Sequence, residues 1–249
     1  MAGHSKWAQI KRKKAVTDKR RGQHFTRLAR EITVAAKAGG GDPAFNPRLR
    51  LAVDTAKAAN MPNDNIDRAI KKGTGELGGV EYQEIAYEGY GPGGVALYVE
   101  TVTDNANRTV ADLRHALSRH GGSLGASGSV AWQFERKGQI YVDANRFDED
   151  ATLMAALEAG ADDLSREGET YTVSTSVASF HAVQEALRQQ GVELQDAELA
   201  MVPKTTMHVD GGDVPRLLKL LEAVEELDDV QKVYSNLDID ETALTEAGA

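Results

Sequence analysis

A chain of 249 residues with 41% apolar side chains has the length for two or three modest domains and the composition to give each a core. It contains no cysteine, which excludes disulfides, thiolate metal sites and thiol nucleophiles. The formal net charge of −9 conceals a division: residues 1–72 carry 17 Lys and Arg against 6 Asp and Glu, and the remainder carries 12 against 32. A basic front on an acidic body points to a polyanion at the N-terminal end, nucleic acid before an anionic membrane. No apolar run nears the ~20 residues that span a bilayer, so no membrane partner is expected. No apolar core follows the basic start, which argues against a secretory signal. A transit peptide would be basic too, but richer in Ser and Arg, so a cytoplasmic location is the expectation.

The chain opens on a basic arm, Gly3-His4-Ser5-Lys6-Trp7-Ala8-Gln9-Ile10-Lys11-Arg12-Lys13-Lys14, and residues 1–30 hold ten Lys and Arg against one acid, Asp18. Residues 2–14 show neither helical period nor strand alternation and read as an arm that a partner orders. Trp7 either stacks on a base or folds back as an apolar anchor. A helix is predicted from Thr17 to Ala38, with Phe25, Leu28, Ala29, Ile32, Ala35 and Ala36 on one stripe. Gly39-Gly40-Gly41 stops it. Asn46 caps a second helix that has Pro47 at its first position and runs to Ala59. Met61-Pro62-Asn63-Asp64 reads as a break and a new cap, and a short third helix carries Ile66, Ala69 and Ile70 to Gly73. Its acidic start makes it a poor base-reading helix, so the charge suits phosphate contact better than base readout.

Gly73 to Gly79 reads as a flexible hinge. Beyond it the period changes. Strands are predicted over Tyr82–Tyr87 and Val95–Val102. The Gly89-Tyr90-Gly91-Pro92-Gly93-Gly94 segment between them is a hairpin turn rather than a phosphate loop, which would have to open a helix. Asp104-Asn105-Ala106-Asn107-Arg108-Thr109 precedes a helix. Capping is its first role, with anion binding by Asn105, Asn107 and Arg108 at the helix N-terminus as a second contact. Gly121 to Ser129 is a small-residue loop suited to close backbone approach, followed by a strand over Val130–Phe134. From Gln139 to Val202 the elements follow the order β-α-β-β-α-β, which is ferredoxin-like. A last β-α-β, Thr205 to Leu237, pairs with that of residues 95–134. The fold class expected is α+β: an N-terminal three-helix bundle, then two ferredoxin-like α/β domains, one inserted in the other. The boundaries are 1–75 for arm and bundle, 79–135 plus 204–240 for the split domain, and 136–203 for the insert.

No catalytic constellation emerges. The six histidines make no close metal spacing, and neither a Gly-x-Ser-x-Gly elbow nor a Walker loop is present. The acid pairs Glu149-Asp150, Asp162-Asp163 and Asp228-Asp229 are sequence neighbours and read as solvated charge.

The segments Ala2-Gly3-His4-Ser5-Lys6-Trp7, Asn60 to Ile70, Tyr87 to Gly94, Thr103 to Thr109 and Gly121 to Val130 resemble the YebC/PmpR family, and the resemblance covers essentially the whole chain. It implies a helical bundle with two α/β domains and a cytoplasmic, DNA-binding transcriptional regulator without enzymatic activity. A mitochondrial relative acts as a translational activator for a cytochrome oxidase subunit, and bacterial members are tied to ribosomes stalled at proline runs.

The expectation is therefore a nucleic-acid-binding regulator of gene expression, monomeric, with no enzymatic activity, cofactor, metal or small-molecule substrate. DNA is the first target and ribosomal RNA the alternative. The contacts expected are His4, Lys6, Trp7, Lys11, Arg12, Lys13, Lys14, Lys19, Arg20, Arg21 and Arg27. An enzyme with a metal in an acidic cleft is a third possibility, readable as specific Mg²⁺ or Mn²⁺ binding.

Overall fold

The computed structural model describes residues 18–78, 81–209 and 212–239. Helix α1 (Asp18–Gly39) lays its apolar stripe against α2 (Pro47–Ala58) and α3 (Asn63–Gly73). Leu28, Ile32 and Ala36 meet Leu49, Val53 and Ile66 in one core. Asn46 fastens the first two helices together. Its side-chain oxygen accepts from the Leu49 N–H at 3.1 Å and so caps α2. Its amide nitrogen donates to the carbonyls of Ala35 at 2.8 Å and Gly40 at 2.9 Å, at the end of α1. The predicted cap at Asn63-Asp64 does not form. α3 starts at Asn63 behind Pro62, no side chain caps it, and the Pro62 carbonyl takes the Asn65 and Ile66 N–H groups instead. Asn60 reverses the chain between α2 and α3 with φ of 59°, a left-handed conformation Asn tolerates.

Strands β1 (Gln83–Tyr90) and β2 (Ala96–Thr103) form the expected hairpin. Helix α4 (Ala106–Arg119) follows, then the two-residue strand β3 (Ser123–Leu124), which returns to β1. The chain next passes into a second sheet made of β4 (Phe134–Asp143), β5 (Asp163–Glu167), β6 (Thr170–Thr175) and β7 (Leu194–Pro203). Helix α5 (Glu149–Glu158) joins β4 to β5, and α6 (Phe180–Gln189) joins β6 to β7. The order β5-β6-β4-β7, with every neighbouring pair antiparallel, is the ferredoxin-like arrangement. After β8 (Met207–His208) and α7 (Val214–Glu225), strand β9 (Val230–Ser235) completes the first sheet in the order β3-β1-β2-β9. Last comes β10 (Leu237–Asp238), parallel to β8.

The register explains how one α/β unit sits inside another. Phe134, the first residue of β4, pairs with Pro203, the last of β7, so the chain leaves and re-enters the first unit at one point. The first sheet is covered on both faces, as strand alternation requires. Val95, Leu97 and Val99 face Leu113, Leu217 and Val224 of α4 and α7, while Ala96 and Tyr234 face Phe134 and Ala200. In the second sheet Ile140 and Val173 pack on α5 and α6 through Ala156, Val183 and Leu187.

Three further sequence expectations change. Val130–Phe134 is not a strand: Ala131–Gln133 is a 3₁₀ turn, and β4 begins at Phe134. The strand expected over Thr205–Val209 shrinks to the two residues of β8, paired only with β10. Of the expected Gly73–Gly79 hinge, Gly79 lies outside the described residues; the segments on either side are tied together. Tyr82 lies under the Lys72 ammonium, 4.9 Å from its ring centroid, and near the Arg30 guanidinium at 5.7 Å. Arg48 of α2 pairs with Glu84 of β1 at 2.9 Å and with Glu31 of α1 at 2.9 Å.

Within the bundle α1 and α3 approach closely at Gly73, where an added Cβ would lie 2.3 Å from the Thr33 carbonyl oxygen. That backbone cannot yield without moving a helix. Gly73→Ala is expected to lower stability by about 2 kcal/mol, in the range for overpacking. The urea midpoint measures it, and an unchanged midpoint would show that the helices have slack there.

Candidate nucleic-acid interface

His4, Lys6, Trp7, Lys11, Arg12, Lys13 and Lys14 lie outside the described residues, and Lys19, Arg20 and Arg21 fall in the first turn of α1. Arg27 stands apart from the others. It is half-buried, and its guanidinium donates to the carbonyl of Glu225 and, at 3.5 Å, to that of Leu227. Gln23 donates to the Glu226 carbonyl at 3.4 Å. These carbonyls end α7, where a helix leaves acceptors unpaired and its dipole favours a cation. Arg27 thus docks the bundle on the first sheet unit. Other cations of the bundle are uncommitted: Arg50, Lys57, Arg68 and Lys71 are exposed and pair with no acid among the described residues.

The segment Asp104 to Thr109 takes the capping role. The Asn105 side chain accepts from the Arg108 N–H at 3.1 Å at the start of α4. Asn107 is exposed. Arg108 turns back onto Asp229, with N–O distances of 2.9 and 2.8 Å, and onto Asp104 at 2.7 Å. Asp229 is only 5% exposed, which corrects its assignment to solvated charge. It also accepts from Thr109 Oγ1 at 2.7 Å and Thr103 Oγ1 at 3.1 Å. The fourth partner is Arg30 of α1, at 3.1 Å. Arg30 donates besides to the Val102 carbonyl at 3.3 Å and to that of Asp228. Burial pushes the Asp229 carboxyl upward, but Arg108, Thr109 and Thr103 together outweigh it and hold it below the usual range. Among Asn105, Asn107 and Arg108, then, only Asn107 keeps its side chain clear of these internal bonds.

A second buried carboxylate organises the glycine loop. Glu88 of β1 accepts from the backbone N–H groups of Gly128 at 2.6 Å, Val130 at 2.6 Å and Ala131 at 2.8 Å. Burial raises its carboxyl, and the three N–H donors more than reverse this, so it too sits below the usual range. The loop reaches β1 because its residues are small: a Cβ on Gly122 would lie 2.6 Å from the Tyr90 carbonyl oxygen. Sequence reasoning missed Glu88 and Asp229. For Glu88 the signal was a lone acid between Tyr87 and Gly89; Asp229, next to Asp228, gave none.

Among the described residues no helix is long and apolar enough to cross a membrane, and no three His, Asp or Glu side chains gather as metal ligands would.

Comparison with known proteins covers both parts of the chain. A family profile described as the TACO1/YebC protein N-terminal domain matches residues 5–76, and one described as the TACO1/YebC second and third domain matches residues 82–237. A relative from Chlorobium luteolum, named "Probable transcriptional regulatory protein", is 58% identical over 98% of both chains. One of the same name from Gemmatimonas aurantiaca is 58% identical over 99% of this chain and 100% of its own. The crystal structure of a conserved hypothetical protein from Aquifex aeolicus superposes with a TM-score of 0.85 at 48% identity, covering 92% of this chain and 94% of that one.

Two predictions follow from the buried acids. Asp229→Asn leaves Arg30 and Arg108 facing an uncharged group and should cost about 3 kcal/mol, discounted because Arg108 is half exposed. Thermal unfolding measures the loss, and a cost under about 1 kcal/mol would show that the pairs are no better than surface ones. The second concerns acid. Both carboxyls are depressed in the folded state, so their contribution is full above the ordinary carboxylate range and fades as pH falls through the depressed values. Stability should therefore drop below about pH 4, and Glu88→Gln, which turns an amide NH₂ toward backbone N–H donors, should flatten that acid limb. A variant with the parent's pH profile would remove Glu88 from the account.

Proposed function

The chain belongs to the TACO1/YebC family, and we propose that it is a non-enzymatic, cytoplasmic regulator of gene expression that acts by binding nucleic acid as a monomer, with duplex DNA as its target. The observation carrying this is the segregation of charge, 17 Lys and Arg against 6 acids over residues 1–72 of an otherwise acidic chain. Its relatives' printed name, "Probable transcriptional regulatory protein", supports the regulatory role. Arg50, Lys57, Arg68 and Lys71, exposed and paired with no acid among the described residues, add cationic surface on α2 and α3. Lys19, Arg20 and Arg21 begin α1 at the positive end of its dipole. Cations cost a helix about 0.3–1 kcal/mol each at that end, and a bound phosphate would offset the cost.

In this scheme Lys6, Lys11, Arg12, Lys13, Lys14, Lys19, Arg20 and Arg21 neutralise phosphates, and His4 and Trp7 stack. Arg27 and Arg108 serve to hold the body together. A second target, ribosomal RNA, is favoured by one observation. α3 opens with exposed Asp64 and Asp67, which suits phosphate and shape recognition better than readout of a major groove.

Reversing Lys11, Arg12, Lys13 and Lys14 to Glu tests the arm. Binding to duplex DNA and to ribosomes over a salt series should weaken, and the slope of log affinity against log salt should fall by about 3–4 on duplex. Unchanged affinity and slope would take the arm out of the mechanism. Crosslinking in cells followed by sequencing of the bound nucleic acid separates DNA from ribosomal RNA.

A further inference from the structure

The 3₁₀ turn that replaces the expected strand carries Trp132, which is 68% exposed. An indole is among the largest apolar side chains, and leaving it in water forgoes the stabilisation that burying it would give. The surrounding turn is not loose. Val130 and Phe134 on either side are buried, at 0% and 4%. Glu88 holds the N–H groups of Gly128, Val130 and Ala131. Lys204 grips the turn from β7's end: its N–H donates to the Gln133 carbonyl at 2.8 Å, and its ammonium to the Trp132 carbonyl at 3.0 Å. Asn236 donates to the Gln133 side chain at 3.1 Å. The indole N–H is turned inward onto the Ser129 carbonyl at 3.1 Å, so the polar edge is satisfied and the ring's orientation fixed. A flexible turn would let Trp132 collapse onto the body. This one holds it out, with the ordering already done before any partner arrives.

We propose that Trp132 is a stacking platform for an unpaired base of a single-stranded nucleic acid, with the Lys204 ammonium contacting the adjoining phosphate. The ring supplies a π-face that every base matches. The ammonium has three donors and spends one on the Trp132 carbonyl, leaving two for phosphate oxygens. The occupant is nucleic acid rather than an apolar peptide because the apolar Val130 and Phe134 that flank Trp132 in sequence are buried, and the Trp132 backbone carbonyl holds an exposed lysine ammonium. This rests on the nucleic-acid reading above but uses a different part of the chain, and it fails separately.

Trp7→Phe leaves Trp132 as the sole indole of the full chain, since the chain has two tryptophans. This form is titrated with a ten-nucleotide oligoadenylate and with an abasic strand of equal phosphate number. Trp132 emission should be quenched by the oligoadenylate and not by the abasic strand. In the same background Trp132→Ala should weaken oligoadenylate binding about tenfold, with abasic binding unchanged, and Trp132→Phe should recover most of the loss. Emission unmoved by oligoadenylate, or equal affinity of the alanine variant, overturns the platform. If arm reversal weakens both strands while Trp132 emission never moves, the arm stands and the platform falls. If quenching persists and arm reversal changes nothing, the platform stands and the arm falls.

Discussion

The position of the helical bundle depends on one buried carboxylate. Asp229 sits in the turn before β9 and receives Arg30 from α1, Arg108 and Thr109 from α4, and Thr103 from the end of β2. Taking that charge out of water costs several kcal/mol, and it is offset only where the donors come in good geometry. The donors come from separate parts of the chain, so the charge is satisfied in one relative placement of bundle and sheet. Arg27 and Gln23 add a second anchor one helical turn earlier on α1, at the end of α7. Helix α1 is therefore held in one place on the body.

Much of this architecture is legible in the sequence because it rests on local periodicity. The stripe from Phe25 to Ala36 gives α1, Asn46-Pro47 gives the start of α2, and the β-α-β-β-α-β order gives the insert. Domain insertion itself is legible because a matching β-α-β flanks it on both sides. The missed features all depend on partners distant in sequence. Arg30 and Asp229 are 199 residues apart, and Arg108 and Asp229 are 121 apart. Asp228-Asp229 looks like a solvated pair because adjacency says only that the two do not face each other, and nothing local says that one of them faces inward. The Val130–Phe134 error has the same root. Its apolar and aromatic residues carry strand propensity, but Glu88, 42 residues upstream of Val130, draws the backbone N–H groups into a turn.

The charge count from sequence also needs dividing. Arg27, Arg30, Arg48 and Arg108 contribute to the positive total and are all spent on carbonyls and carboxylates of the same chain. They are arginines, whose planar fork suits fixed multidentate contacts inside a protein. The uncommitted cations Lys57 and Lys71, like most of the arm, are lysines, compact charges on flexible stems. Structural and available charge thus separate partly by residue type. Net charge by segment overstates what a partner meets, although the arm's five Lys and Arg between Met1 and Lys14 outnumber the bundle's committed Arg27, Arg30 and Arg48.

The same economy appears in the acids. Asp229 is satisfied by side chains and Glu88 by backbone N–H groups, and the choice has consequences. Side-chain donors from separate elements make Asp229 a joint between units. Three N–H groups from one short stretch make Glu88 a clamp on a single loop. A clamp of that kind fixes the backbone of a turn through its N–H groups, so Trp132 need not be buried to order it even though Val130 beside it is. An exposed tryptophan on such a turn keeps its orientation in water, which a turn held by side-chain packing would not allow without burying the ring. Glu88 from one side and Lys204 and Asn236 from the other thus hold the turn on which Trp132 stays exposed.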